Sequence, residues 1–346
     1  MVAAASFVVV VAGLRAATQL ILPFLVSVFL AIISLPLLNW LHRKKVPPPL
    51  AILFTVMAAV AVMAVMVLVV RQSVNEFANV APLYQARLQE LVTSVVDRVQ
   101  GLAEGLGIQT SGMDDFINPG VALDLMGGTL GAVAGLLSNT FLNTFLVLLT
   151  VIFILLEAAG FSRKLSAAFG DERVHLQPFE RITRQVQNYL AIKTLVSLAT
   201  GVAAGVWVAV LGLDFPLLWG LLAFIFNYIP NLGSVLAGVP PVLLALLQLG
   251  PGRAVLVALG YLAINTVFGN FLEPTLMGRR LGLSTLVVFL SLVFWGWVWG
   301  PVGMLLAVPL TMVIKIALEN TEDFHWVAVM LDANPASTPP PRARGR

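Results

Sequence analysis

The sequence predicts an all-α integral membrane protein with about eight transmembrane helices, two Pro- and Gly-interrupted helical hairpins and one extramembrane helical segment. Of its 346 residues, 59% are hydrophobic and only 11% are charged, whereas soluble domains carry about 25% charged residues. The apolar residues form long runs, and a transmembrane helix needs about 20 of them. The chain therefore has too little polar surface for a water-exposed body.

The N-terminal region, residues 1–70, is predicted to consist of transmembrane helices. Residues 2–41 hold one charged residue, Arg15, and are long enough for a tight helical hairpin with Pro23 near its middle. A basic cluster from His42 to Lys45 follows, and then a further apolar span. Because basic residues collect in cytoplasmic loops, we expect this cluster and the N-terminus to be cytoplasmic.

Residues 71–137 are richer in charged residues than the apolar spans on either side and are predicted to form an extramembrane amphipathic helical segment. They hold three arginines and seven acidic residues, a net charge of −4. Apolar residues recur at spacings of three and four from Phe77 to Val99, which draws one apolar face on a long helix. We expect this face to pack on the membrane body or on a neighbouring subunit.

The third region, residues 138–320, is predicted to be the transmembrane transport core, with a cytoplasmic stretch at 158–189 that is rich in arginine. Two of its apolar blocks are about 35 residues long, too long for one crossing at about 1.5 Å per residue. If each block enters the membrane and returns, the basic residues stay on the cytoplasmic side. The predicted spans are 138–157, 190–212 and 254–274, and the two long blocks are 215–249 and 283–318.

Both long blocks are interrupted by Pro and Gly, and a further proline, Pro274, ends the span between them. Two interrupted hairpins that enter from opposite faces are typical of secondary transporters. At membrane depth, the amide and carbonyl groups of irregular backbone need hydrogen-bond partners from protein or from a water-filled cavity. The interruptions are therefore candidate walls of a substrate path. The alternative is that they only kink ordinary spans. The interrupting residues are Pro230, Gly233, Gly238, Pro240 and Pro241 in the first block and Gly296, Gly300, Pro301 and Gly303 in the second.

The last region, residues 321–346, is predicted to be a cytoplasmic and largely disordered tail. Its end, from Asn334 onward, is rich in proline and carries Arg342, Arg344 and Arg346. Such a composition cannot build a packed core.

Polar residues within the spans are the candidate site, because polar groups inside a bilayer are costly and mark functional positions. Asn227, Asn231 and Ser234 lie at the first interruption, where they either contact a solute or cap backbone freed by Pro230. A second group comprises Asn265, Asn270 and Glu273. Glu273 either titrates, binds a cation or pairs with Arg279 or Arg280. Lys193 opens the span near residue 190 and can snorkel to the interface.

Several chemistries have no support in the sequence. The chain has no GxxxxGK[ST], HExxH or GxSxG motif and no cysteine. We therefore expect no enzyme, no catalytic residue, no metal site and no cofactor. A nucleic-acid partner is not expected either, because no basic face is present.

Several motifs in the second half carry a family resemblance. They are Asn227-Tyr228-Ile229-Pro230-Asn231-Leu232-Gly233-Ser234, Asn270-Phe271-Leu272-Glu273-Pro274, Met277-Gly278-Arg279-Arg280, Gly282-Leu283-Ser284, Phe294-Trp295-Gly296, Gly300-Pro301-Val302-Gly303-Met304 and Val308-Pro309-Leu310. With these motifs the chain resembles the autoinducer-2 exporter (AI-2E) family. The resemblance implies an inner-membrane transporter of about eight spans that forms a homo-oligomer. Family members export autoinducer-2, a quorum-sensing signal, or exchange sodium or lithium for protons. Where the family often has a polar Leu-Arg/Lys-Asp turn, this chain has Leu156-Glu157-Ala158-Ala159-Gly160.

The leading hypothesis is a secondary transporter or facilitator that exports a small polar solute such as autoinducer-2. Its expected partners are membrane lipids, the solute, a coupling proton or sodium ion, and further copies of the chain. One alternative is a sodium(lithium)/proton antiporter, with Glu273 as its carboxylate. A second alternative, from another class, is a non-transporting membrane scaffold that binds partners through residues 71–137.

Overall fold

The computed structural model describes residues 2–105, 128, 146–157, 177–230, 232–277, 283–319, 321 and 324–333. Within these ranges every regular element is helical. Six helices are long and apolar enough to cross a membrane, which confirms the expected all-helical, multi-pass membrane architecture. The expected count of eight is not reached in the described residues, where two further apolar helices are short.

The described helices follow one another in a simple order. They are α1 (Val2–Ala16), α2 (Thr18–Arg43), α3 (Pro48–Gly105), α4 (Leu146–Glu157), α5 (Gln177–Val210), α6 (Pro216–Phe226), α7 (Leu232–Leu249), α8 (Pro251–Ile264), a π-helical segment (Asn265–Leu272), α9 (Glu273–Met277), α10 (Thr285–Glu319) and α11 (His325–Leu331).

The N-terminal helices divide at Ala17, and not at Pro23 as expected. Pro23 lies inside α2, where its carbonyl oxygen accepts a hydrogen bond from the Ser27 hydroxyl at 2.7 Å. Neighbouring hydroxyls of this kind make proline tolerable inside membrane helices. The Ser27 hydroxyl also reaches the Val147 carbonyl oxygen at 3.2 Å, which ties α2 to α4.

Helix α3 is continuous from its membrane-spanning part into the segment predicted to be extramembrane. The apolar span ends at Val80, yet the helix continues to Gly105, so the boundary expected between residues 70 and 71 is not a break in the helix. The rest of the segment, 106–127 and 129–137, lies outside the described residues.

The extension of α3 is fixed by a buried tyrosine. Tyr84, only 2% exposed, donates a hydrogen bond of 2.6 Å from its hydroxyl to the Asp214 carboxylate. Asp214 also exchanges two hydrogen bonds of 3.0 Å with the Gln248 side chain. The extension of α3 is therefore tied to both ends of the α6–α7 unit.

Helices α6 and α7 form the first interrupted hairpin, since residues before α6 and at the end of α7 meet at Asp214 and Gln248. The chain turns over residues 227–230, after the first of the two helices. Gly233 makes the tight turn possible, because a Cβ there would overlap the Phe226 carbonyl oxygen.

Helix α10 forms the second interrupted hairpin. Trp299 and Gly300 have non-helical backbone angles inside it, and Gly300 has φ 65° and ψ −150°, a region open almost only to glycine. On either side of this point the two halves face each other, since a Cβ on Gly296 would lie 2.9 Å from the Met304 side chain. Pro301 begins the second half.

The bases of the two hairpins lie at opposite ends of α5. Val208, near one end of α5, shares an apolar cluster with Trp219 and Leu244 of the first hairpin. Val186, near the other end, shares a cluster with Met312 of the second hairpin. The tips meet between these ends, since Ile229 is in one cluster with Trp295 and Trp299, whose rings stack at 4.8 Å.

Part of the segment expected to be a disordered tail is helical. Helix α11 ends at Leu331, whose carbonyl oxygen accepts a hydrogen bond from the Ser284 amide at 3.1 Å. The buried Lys315 ammonium binds the Asp332 carboxylate at 2.7 Å. These contacts hold α11 against the base of the second hairpin. Residues 334–346 lie outside the described residues.

Candidate functional site

A polar stripe on α5 organises the site. Lys193 and Ser197 lie four residues apart and therefore on one face of the helix, with Thr194 beside them. Lys193 is 3% exposed and Ser197 is fully buried. Seven residues separate Lys193 from Val186, about 10 Å along the helix, so the stripe lies between the two hairpin bases.

The tip of the first hairpin is hydrogen-bonded to this stripe. The Asn227 side-chain amide donates to the Ser197 hydroxyl at 2.9 Å, and the Tyr228 hydroxyl donates to the Thr194 hydroxyl at 2.8 Å. These two side-chain hydrogen bonds fix the tip of the first hairpin against α5.

The second group of polar residues is carried by the π-helical segment. Pro274 has no amide hydrogen to give to the i−4 carbonyl, so the regular ladder is broken next to it, and the helix is widened immediately before it. The i to i+5 bonding of a π-helix places residues five apart, such as Asn265 and Asn270, on one face. A Cβ on Gly269 would lie 3.0 Å from the Asn265 Oδ1 atom, so the Asn265 side chain can take this position because residue 269 is glycine.

Glu273 pairs with the stripe on α5. The Lys193 Nζ atom lies 2.7 Å from Oε1 and 2.8 Å from Oε2 of Glu273. The ion-pair partners considered from the sequence, Arg279 and Arg280, lie outside the described residues. The interpretation that Lys193 can snorkel to the interface is wrong, because its ammonium is buried against the carboxylate.

These elements line a partly open cavity of about 160 Å³. Five of the six residues predicted to form the substrate path line it, and the sixth, Asn231, lies outside the described residues. Pro230 also lines the cavity. Gly233 directly precedes the lining residue Ser234, and Pro274 directly follows the lining residue Glu273, whereas Gly300 and Pro301 of the second hairpin are not among the lining residues. The cavity is lined by Lys193, Asn227, Ile229, Pro230, Ser234, Asn265, Gly269, Asn270 and Glu273.

The lining can bind a hydroxylated solute. Three amides and one hydroxyl offer both donors and acceptors, the ammonium offers donors only, and the carboxylate offers acceptors. In the part of the chain that the structure describes, no three His, Asp or Glu side chains are grouped so as to hold a metal ion.

The comparison with known families decides the class of protein. The family model described as AI-2E family transporter matches residues 5–323. The chain belongs to the AI-2E transporter family. It is 40% identical over 324 residues to the AI-2 transport protein TqsA of Escherichia coli strain K12, covering 94% of this chain and 92% of TqsA.

Other AI-2E relatives match over the same extent. YhhT of Escherichia coli strain K12 is 38% identical over 333 residues, with 94% of this chain and 92% of YhhT covered. A Haemophilus influenzae protein is 36% identical over 331 residues, with 94% of each chain covered. Membership in this transporter family, together with the apolar helices, favours a multi-pass membrane transporter over the scaffold alternative.

Sequence reasoning missed the contribution of α5 to this cavity. Thr194, Ser197 and Gly269 were not among the expected site residues, and Lys193 was interpreted as interfacial. One signal was available, because Lys193 and Ser197 share a helix face within an otherwise apolar span. The hydrogen bonds from Asn227 to Ser197 and from Lys193 to Glu273 could not be inferred from the sequence, because the partners are 30 and 80 residues apart along the chain.

Proposed function

We propose that this protein is a secondary transporter or facilitator that exports a small polar solute across the inner membrane, and that autoinducer-2 is the solute. The observation that carries the proposal is the polar cavity halfway along α5, where the first hairpin tip and the π-helical segment meet. The name of TqsA, an AI-2 transport protein, supports the choice of solute.

The proposed path follows from the opposed hairpins. With the basic cluster at His42–Lys45 on the cytoplasmic side, the first hairpin enters from outside and the second from the cytoplasm. The C-terminus is then cytoplasmic, and the N-terminus is proposed to be cytoplasmic as well. Each tip ends near mid-membrane, since 11 residues of α6 span about 17 Å, roughly half of a 30 Å hydrocarbon core.

Within this path the cavity residues have distinct proposed roles. Asn227, Asn231 and Ser234 contact the solute at the first hairpin tip. Asn265 and Asn270 line the opposite wall, and Glu273 either lines the path or couples it to an ion. Further copies of the chain are proposed as oligomeric partners, in line with what the family resemblance implies.

The experiment is efflux of autoinducer-2 from vesicles that contain the purified protein. Asn265→Ala and Asn270→Ala should each slow efflux severalfold, because each removes hydrogen-bonding groups from the cavity wall. Asn39→Ala is the matched control, since Asn39 is an exposed amide near the end of α2 and should leave efflux unchanged. Efflux no faster than from protein-free vesicles would overturn the proposed substrate.

A second candidate function is sodium(lithium)/proton antiport, and the Lys193–Glu273 pair is the observation that favours it. A sodium ion that takes the place of the ammonium at the carboxylate would release Lys193 to lose a proton. The test is sodium-driven proton movement in the same vesicles, with Glu273→Gln as the variant. Sodium-driven proton movement that Glu273→Gln abolishes would establish antiport, and its absence in the unmodified protein would exclude it.

A further inference from the structure

We infer that the Lys193–Glu273 pair makes the cavity selective for hydroxyl-rich solutes without net charge. This inference rests on the proposed function, because it names the substrate class of the same cavity. Lys193 is thereby a specificity-determining residue, in addition to the amides that the sequence indicates.

The first step is the balance of charge in the cavity. One ammonium, 3% exposed, faces one carboxylate, 18% exposed, with nitrogen–oxygen distances of 2.7 and 2.8 Å. The other lining residues are uncharged amides, a hydroxyl and apolar groups. The described lining therefore has no net charge, and a charged solute would find no uncompensated partner.

The second step is what a charged solute would have to do. An anion could bind Lys193 strongly only by displacing Glu273, which would leave a carboxylate without its cation at membrane depth. A cation could bind Glu273 strongly only by displacing Lys193, which would leave an ammonium without its carboxylate. Leaving a buried charge uncompensated is strongly unfavourable, so both classes of solute are disfavoured at once.

The third step is that the intact pair still offers hydrogen bonds. An ammonium has three donors and a carboxylate has about four lone-pair sites, more than a two-oxygen contact consumes. A neutral solute hydroxyl can therefore accept from Lys193 or donate to Glu273 without breaking the pair. The amides of Asn227, Asn265 and Asn270 then complete a site for several hydroxyls.

The test is flux of three size-matched probes through vesicles that contain the full chain: erythritol, erythronate and an aminobutanetriol. The unmodified protein should carry neutral erythritol about tenfold or more faster than either charged probe, the factor that corresponds to 1.4 kcal/mol. Glu273→Gln should shift preference toward the anion, because an ammonium is left alone. Lys193→Gln should shift preference toward the cation. The double variant should again prefer erythritol.

Two further variants keep the test decisive. The exchanged pair, Lys193→Glu with Glu273→Lys, restores neutrality if a single variant fails to insert, and it should prefer erythritol. Lys315→Gln is the matched control, since Lys315 is a buried lysine paired with Asp332 but does not line the cavity, so probe preference should not change.

The outcomes separate the inference from the proposed function. If the unmodified protein carries neither autoinducer-2 nor erythritol, the proposed function fails. If it carries autoinducer-2 but carries erythritol and the charged probes equally, or excludes erythritol altogether, only the charge selectivity is overturned. The same holds if both single variants keep the preference of the unmodified protein, or if the exchanged pair prefers a charged probe.

Discussion

Gly269 shows how one missing side chain shapes the cavity. A Cβ at this position would lie 3.0 Å from the Asn265 Oδ1 atom, closer than an ordinary contact, so the amide would have to move. Gly269→Ala should therefore slow solute efflux severalfold with little loss of stability, because alanine is the better helix former. Efflux and thermal unfolding of the two proteins measure this.

The matched control for Gly269→Ala is Gly252→Ala. Gly252 lies in the first turn of α8, where a Cβ would meet no atom within 4 Å. This substitution should leave efflux unchanged. Equal efflux in both variants would show that the Asn265 amide does not depend on the space at Gly269.

Individual residues also show what the sequence could predict of the site. Asn227, Ser234, Asn265, Asn270 and Glu273 were selected because polar groups within apolar spans are costly, and all five line one cavity. Whether solute passes them stays a prediction.

The ion pair could not be predicted from the sequence, because it depends on how α5 packs against the π-helical segment. Local spacing puts Glu273 within reach of Arg279 or Arg280, and only the tertiary arrangement brings Lys193 to the carboxylate. A lysine in an apolar span is the kind of residue for which local reasoning favours snorkelling, while packing can favour burial with a partner.

Among the elements, the first hairpin depends on Gly233. A Cβ at Gly233 would overlap the Phe226 carbonyl oxygen, whereas a Cβ on Gly238, one and a half turns further along α7, would make an ordinary 3.4 Å contact with Tyr261. Gly233→Ala should open the turn, lower thermal stability by several degrees and abolish efflux. Gly238→Ala should be tolerated in both measurements, and similar losses in both variants would contradict this account of the turn.

The link between α3 and the first hairpin should depend on pH. Burial, the hydrogen bond to Asp214 and the charge of that carboxylate raise the pKa of the Tyr84 phenol above its usual value. The neutral phenol is therefore retained in the folded protein at a pH where the unfolded chain, with a pKa of about 10, loses its proton. The contact contributes fully below about pH 10 and is lost as the pH rises through the higher, folded-state pKa.

Tyr84→Phe tests this link. At pH 8 the variant should be less stable by about 1.5 kcal/mol, the lower end for hydrogen bonds to charged groups. The difference from the unmodified protein should shrink as the pH rises above about 10, the pKa of the phenol in the unfolded chain. Unfolding measured across this range checks both points, with Tyr261→Phe as the control, since the Tyr261 hydroxyl has no hydrogen-bond partner in the described residues. A difference that grows with pH would refute the proposed contact.

Element boundaries differ in how far the sequence reveals them. The interruption at Gly300 is signalled locally, because Pro301 disfavours helical backbone angles at the residue before it and glycine can adopt angles that other residues cannot. The division at Ala17 has no such signal, and proline at 23 pointed to the wrong place. The continuation of α3 past residue 70 could not be predicted from hydropathy, since a helix can leave the apolar layer without ending.

At the scale of the whole molecule, the two hairpins place their bases at opposite ends of α5 and their tips between those ends. The polar cavity thus lies near the middle of α5, between the bases of the two hairpins, and the hairpin tips meet at the same height. The positive-inside rule anticipates this opposition from charge alone, since only two returning blocks keep the basic loops on one side. It does not anticipate that α5 links the first tip to the π-helical segment.

Whether the cavity is hydrated can be tested with introduced cysteines, because the natural chain has none. Ser234 lines the cavity, whereas its neighbour Val235 does not line it and is 61% exposed, so we expect lipid to cover it. Ser234→Cys should react with a membrane-impermeant thiol reagent, and excess solute should slow the reaction. Val235→Cys should remain unreactive, because hydrocarbon excludes the reagent despite its greater exposure. Equal reaction of both cysteines would place the first tip in an ordinary surface loop, and reaction of neither would mean that no aqueous path reaches the cavity.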